Sequence, residues 1–124
     1  MSFNWELFVD LAEKLINNRE FDGIEEAYLR TAINRSYYGV YGLACKFLKD
    51  KGRLSTSPTH REVREKYIKS TDQLEKDIGE NLFRLFRDRR KADYKSRAQI
   101  NKNEAQRVYQ LSCRTRQKLK ELGI

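Results

Sequence analysis

Two stretches of the chain place residues that can do chemistry at helical spacing. The first is Arg30-Thr-Ala-Ile-Asn-Arg-Ser-Tyr-Tyr38, with Tyr41 one turn further on. Arg30, Asn34, Arg35 and Tyr38 offer donors for an anion, while the tyrosines also suit a core helix whose hydroxyls reach water. The second is Arg84-Leu-Phe-Arg-Asp-Arg-Arg-Lys-Ala-Asp-Tyr94, where an apolar stripe turns into arginines. On that wheel Arg89 and Ala92 continue the inward stripe. A buried guanidinium is costly unless paired, and Asp93 stands at i+4, where a helical Arg and Asp meet. Two readings stay open: an ion pair closing the end of a bundle, or an anion site in which Arg87, Arg89 or Arg90 presents its planar fork of donors to phosphate.

Other catalytic designs find little support. The chain has one histidine, His60, after Pro58-Thr59 at a helix start, and a lone imidazole there is a surface or capping residue or else a general base. One imidazole excludes any site that needs two. Cys45 and Cys113 match neither a disulfide framework nor a paired CxxC metal site, so a reducing, cytoplasmic setting is expected, with no metal and no cofactor. No Gly-rich phosphate loop, HExxH or GxSxG occurs.

Five helices must position these residues. The first is expected over Trp5 to Asn17, capped by Asn4, with Phe8, Leu11, Ala12, Leu15 and Ile16 on one face and a turn over Asn18–Gly23. The second runs from Ile24 to Asp50, with Leu29, Ile33, Ser36, Val40, Leu43, Ala44 and Phe47 in one stripe. Gly39 and Gly42 each cost it about 1 kcal/mol of helix propensity, which close approach by another backbone would offset. Ser57 is expected to cap a third helix, with Pro58 at its first position and its body over Thr59 to Ile68. Thr71 is expected to cap the fourth, which carries Leu74, Ile78, Leu82 and Leu85. Asn101 with Glu104 caps the fifth, which presents Val108, Leu111, Thr115, Leu119 and Leu122 inward. The fold class is therefore all-α: an antiparallel up-and-down bundle forming one domain over residues 1–124.

Length and charge agree with that picture. With 124 residues and 39% hydrophobic content, the chain can build one core inside a heavily charged coat. No apolar run is long enough for a membrane span, and the N-terminus lacks the basic and apolar regions of a secretory signal. The net charge of +8 is unevenly placed. Residues 1–83 carry 13 basic and 14 acidic side chains, residues 84–124 carry 13 basic and 4 acidic. A segregated basic segment fits a polyanionic partner: RNA, DNA or nucleotide.

The string Arg30–Tyr38 on a long second helix, His60 after it, and Arg89-Arg-Lys-Ala-Asp-Tyr94 resemble the HEPN domain, above all its short stand-alone prokaryotic subgroup. The resemblance covers almost the whole chain and implies a four-helix core that usually dimerises. In active members an Arg-x4–6-His motif from each subunit forms a metal-independent RNase site at the dimer interface. Many relatives are encoded beside a minimal nucleotidyltransferase as toxin and antitoxin. In one branch the motif extends to Arg-x4-His-x-Tyr, and the tyrosine is nucleotidylated by the partner. Laid on this chain, Arg87 matches the arginine, Ala92 falls where the histidine should be, and Tyr94 matches the tyrosine. An alanine methyl neither donates nor accepts a proton, so RNase activity by the usual mechanism is in doubt. The Arg-x-x-Ala-Asp-Tyr variant is typical of the subgroup.

Three functions are weighed on these residues. One is a HEPN-like homodimer that binds RNA or nucleotide at its basic end and pairs with a nucleotidyltransferase. Another is an RNase toxin using Arg87 or Arg89 with His60 or Tyr94. The third is a non-catalytic interaction module whose arginines only stabilise the bundle.

Overall fold

The computed structural model describes residues 3–18 and 23–124. These form five helices: α1 (Glu6–Ile16), α2 (Glu25–Asp50), α3 (His60–Ile68), α4 (Gln73–Tyr94) and α5 (Lys102–Glu121). Among the described residues there is no strand, and no helix is long and apolar enough to cross a membrane. Of the turn expected over Asn18–Gly23, residues 19–22 lie outside the described residues.

Pairings between the helices fix their directions. Val9 meets Gly39 and Trp5 meets Gly42, so α1 runs antiparallel to α2. Asn34 bonds Asp93 and Arg53 bonds Glu75, which sets α4 antiparallel to α2. Lys118 pairs with Asp77 and Arg107 with Asp88, so α5 reverses again. Tyr109 bonds Glu13 and Lys120 pairs with Glu6, which closes α5 onto α1. The short α3 lies against α4, with Tyr67 and Ile68 over Gly79.

Burial follows the expected stripes on α2, α4 and α5, whereas on α1 Val9 is buried with Ala12 and Ile16 and Leu11, expected on that face, is exposed. Leu29, Ile33, Ser36, Val40, Leu43 and Ala44 of α2 are buried, as are Ile78, Leu82 and Leu85 of α4 and Val108, Leu111, Thr115 and Leu119 of α5. Tyr67 is buried too, its hydroxyl donating to the Ala44 carbonyl at 2.7 Å. Asn101 caps α5 as expected, its Oδ1 accepting from the Glu104 amide at 2.9 Å. Two other caps differ from expectation. Thr59, not Ser57, caps α3, its Oγ1 accepting from the Glu62 amide at 3.0 Å, so the helix starts at His60 and Pro58 stays outside it. Asp72, not Thr71, caps α4, because a carboxylate complements both the free Glu75 amide and the positive helix end. At α1 the helix starts one residue later than expected, yet Asn4 Oδ1 still accepts from the Glu6 amide at 3.1 Å.

Glycine is required where helices touch. A Cβ at Gly39 would stand 3.1 Å from the Trp5 carbonyl oxygen and 3.2 Å from the Val9 amide nitrogen, and at Gly42 it would enter the Trp5 indole. At Gly79 the obstacle is backbone: its Cβ would lie 2.7 Å from the Ile68 backbone nitrogen, closer than the backbone atoms that face Gly39. Gly79→Ala should therefore lower stability by about 1–3 kcal/mol through overpacking, despite the roughly 1 kcal/mol that alanine gains in helix propensity. Denaturant unfolding checks this. A midpoint equal to or above that of the parent would mean that the α3 and α4 backbones do not meet at this point.

Candidate functional site

At the C-terminal end of α4 the last helical carbonyls lack partners within the helix. Arg30, reaching across from α2, supplies them. Its Nη1 donates to the Ala92 carbonyl at 2.7 Å, and its Nη2 donates to the Lys95 carbonyl at 3.2 Å and to that of Ala98. Nε donates to Glu26 at 2.9 Å, which holds the guanidinium from behind. The donors of Arg30 are thus committed to ending α4 and shaping the turn after it. Arg35 is engaged elsewhere, its guanidinium 4.6 Å above the Phe8 ring on the α1 side.

One turn deeper, α2, α3 and α4 converge on an aromatic cluster. Arg89 is 7% exposed, as its stripe position requires, and Nη1 donates to Asp93 Oδ2 at 3.3 Å. Asn34 Nδ2 donates to the same oxygen at 3.0 Å. The Arg89 guanidinium lies 5.3 to 5.7 Å from the ring centres of Tyr37, Tyr38, Phe86 and Tyr94, close enough for cation–π attraction. Arg90, on the outer face, approaches Phe86 and Tyr94 at 5.8 and 5.7 Å.

His60 joins the same cluster. Its ring stacks on Tyr41 at 4.3 Å and stands 5.7 Å from Phe86. Its Nδ1 is 2.5 Å from the Tyr37 hydroxyl. Burial pushes the Tyr37 phenol well above its ordinary pKa, so the proton stays on oxygen. That buried O–H has no other acceptor among the described residues, hence Tyr37 donates to Nδ1 and the imidazole carries its own proton on Nε2. Burial, and then the charges of Arg89 and Arg64, lower the His60 pKa below its ordinary value, which keeps the ring neutral at pH 7.

A second feature lies on the other face of α4. Arg84, Arg87, Lys91 and Lys95 follow at i, i+3, i+7 and i+11, and with Arg97 and Arg107 they line a cleft of about 760 Å³ beside Tyr94. Its lining includes one carboxylate, Asp88, which pairs with Arg107 at 3.2 Å. Lys91 is held by Glu104 at 2.8 Å. Arg84, Arg87, Lys95 and Arg97 have no acidic partner among the described residues. Tyr94 is 67% exposed and forms part of the wall.

The candidate residues therefore divide. His60, Tyr38, Asn34, Arg89 and Asp93 gather in the aromatic cluster; Arg87 and Tyr94 line the cleft; Arg90 stands on the ridge between; Arg30 and Arg35 belong to neither. Ala92 is 3% exposed and faces the core, so the position that an imidazole occupies in HEPN motifs opens onto neither feature. Arg64, Arg97 and Arg107 were not singled out from sequence. Arg64 was signalled by its i+4 spacing from His60. Arg97 and Arg107 carried no signal, because a turn and the α4–α5 packing bring them in.

No family model matches this chain, and no curated protein does.

The lowered His60 pKa has a thermodynamic consequence. The unfolded chain takes up a proton near pH 6.5 that the folded chain accepts only at lower pH, so stability must fall as pH drops through that interval. Thermal melts between pH 7.5 and 5.5 should show a falling midpoint in the parent and a flatter profile in His60→Gln. An equal slope in both proteins would contradict the neutral, half-buried imidazole.

Proposed function

We propose that this chain is a HEPN-type helical protein that binds the phosphates of RNA or of a nucleotide in the cleft along α4. In this reading it acts as a homodimer and as the toxin-side component of a pair with a minimal nucleotidyltransferase. The observation that carries the binding assignment is the set of four cations without acidic partners among the described residues, Arg84, Arg87, Lys95 and Arg97, around the exposed ring of Tyr94. Guanidinium forks suit phosphate oxygens, and an exposed tyrosine gives a base a face to stack on. Evenly solvated lysines and arginines would be matched by carboxylates, and here one lining carboxylate, Asp88, stands among six cations. The dimer and the nucleotidyltransferase partner rest on the resemblance of the Arg30–Tyr38 and Arg89–Tyr94 strings alone.

A second reading, metal-independent RNA cleavage, is favoured by one observation: His60 stands in the same cluster as Arg89, neutral and oriented by Tyr37. With Nδ1 accepting from Tyr37 and a proton on Nε2, the ring presents a donor that can hold a phosphate oxygen and stabilise charge developing on it.

One experiment addresses both. Binding of a labelled single-stranded RNA is followed across a salt series for the parent and for the double variant Arg84→Ala/Arg97→Ala, both exposed positions. Log affinity should fall linearly with log salt, with a slope of about −0.7 per phosphate contact, and the variant should lose about one to two contacts of slope at an unchanged melting temperature. Salt-independent binding, or equal binding by the variant, removes the cleft assignment. The recovered RNA reports on cleavage: products lost in both His60→Ala and Arg89→Ala support the enzyme reading. Equal products from all three proteins mark a contaminating nuclease.

A further inference from the structure

The cluster around His60 holds more positive charge than it neutralises. From α3, Arg64 lies one turn beyond His60, its guanidinium 4.4 Å above Phe86 and 5.3 Å from Phe83, with no carboxylate in contact among the described residues. From α4, Arg89 has Asp93 as its one acidic partner, and Asp93 is shared with Asn34. Two buried nitrogens here, Arg64 Nη1 and Arg89 Nε, have no hydrogen-bond partner among the described residues. From α2 come only phenols, Tyr37, Tyr38 and Tyr41, with the Cys45 thiol beyond Tyr41. Arg90 adds a further cation over the Phe86 ring. Glu62, the acid nearest to His60 in sequence, is turned away to the Ser55 amide and hydroxyl at 2.9 and 2.7 Å.

His60 itself has an unused donor. With Nδ1 taken by Tyr37, the Nε2–H has no partner among the described residues, and His60 and Arg64 are both part-exposed. An N–H donor and two under-neutralised guanidiniums gathered around the one Phe86 ring are groups that a tetrahedral oxyanion can use together. Their summed positive charge suits the higher charge and the several oxygens of a phosphate. We propose that the Nε2 edge of His60, beside Arg64 and backed by Arg89, binds a phosphate group, and that a proton enters the imidazole as the anion binds. This site is separate from the cleft along α4, lies on the opposite side of Arg90, and requires no cleavage chemistry.

The coupling follows from the surroundings. Without an anion, two guanidiniums oppose a third positive charge on the imidazole. A bound phosphate reverses the sign of the nearest charge, and the imidazolium becomes the better donor. Anion and proton then assist each other by the same factor, as linkage demands.

Because His60 is the chain's single histidine, its ring C–H proton is an unambiguous NMR reporter. Its titration is followed in chloride and in inorganic phosphate at equal ionic strength. Phosphate should raise the apparent pKa of His60 by about one unit, in the range an opposite charge within a few ångströms produces. Arg64→Gln, a part-exposed position, should abolish that phosphate-dependent rise while raising the value in chloride. The cleft variant Arg84→Ala/Arg97→Ala should keep the rise, so failure of the cleft reading and failure of this one are separable. A nucleoside monophosphate serves as a second probe: a larger rise than with inorganic phosphate assigns the site to an esterified phosphate, and an equal rise to the free ion. Identical titration in chloride and phosphate would overturn the proposal, as would a phosphate effect that survives Arg64→Gln.

Discussion

The arrangement depends on one guanidinium. Arg30 reaches from α2 to the carbonyls of Ala92, Lys95 and Ala98, and so decides where α4 stops and how the chain turns towards α5. Hydrogen bonds from a charged donor contribute roughly 1.5–3 kcal/mol each, and three of them converge on the C-terminal end of a helix, where the dipole also favours a cation. Glu26 balances the arginine that does this. The residues around those carbonyls are the ones that carry cationic side chains outward: Lys91, Lys95 and Arg97. A charged surface of one sign resists its own assembly, and a fixed backbone turn is what holds it together.

The two ends of the α2–α4 contact treat arginine differently. Near the start of α4, Arg53 grips the buried Glu75 with two bonds of 2.9 and 3.2 Å, and charge is matched by charge. Near its end, Arg89 is packed among four rings with a single carboxylate shared with Asn34, and positive charge is left over. Aromatic faces stabilise a cation without cancelling it. The first arrangement ties a loop down; the second leaves an electrostatic field that adds to burial in lowering the His60 pKa. Buried charge that is stabilised but not neutralised is what makes this end of the bundle the one to examine for a ligand.

Much of this was legible in the residues. Arg89 could be placed inward, and paired with Asp93, because helical periodicity and the i+4 spacing are both local properties. Gly39 and Gly42 announced a close helix contact because their cost in an isolated helix demands a return elsewhere. The capping residue of α3 and that of α4 were each misplaced, because Ser57 and Thr59, or Thr71 and Asp72, are near-equivalent in type and only the finished turn chooses between them. Arg30 was read as a ligand-binding donor, since nothing near it in sequence shows that its acceptors are carbonyls 62 to 68 residues away. The gathering of His60 with Arg89 was out of reach for the same reason: α3 packs against α4 through Gly79, and no spacing rule encodes that.

The most direct measurement is amide hydrogen exchange and RNA binding in Arg30→Met, since Arg30 lies outside the cleft it is held to shape. Clamping by Arg30 predicts that protection at the Lys95 and Ala98 amides, which bond to the Lys91 and Lys95 carbonyls at 3.0 and 3.1 Å, falls at least tenfold (about 1.4 kcal/mol) while the core amides of α2 and α5 keep theirs. RNA affinity should fall with it. Unchanged protection at those amides, or an unchanged affinity once protection is lost, would contradict the dependence of the cleft on this one side chain.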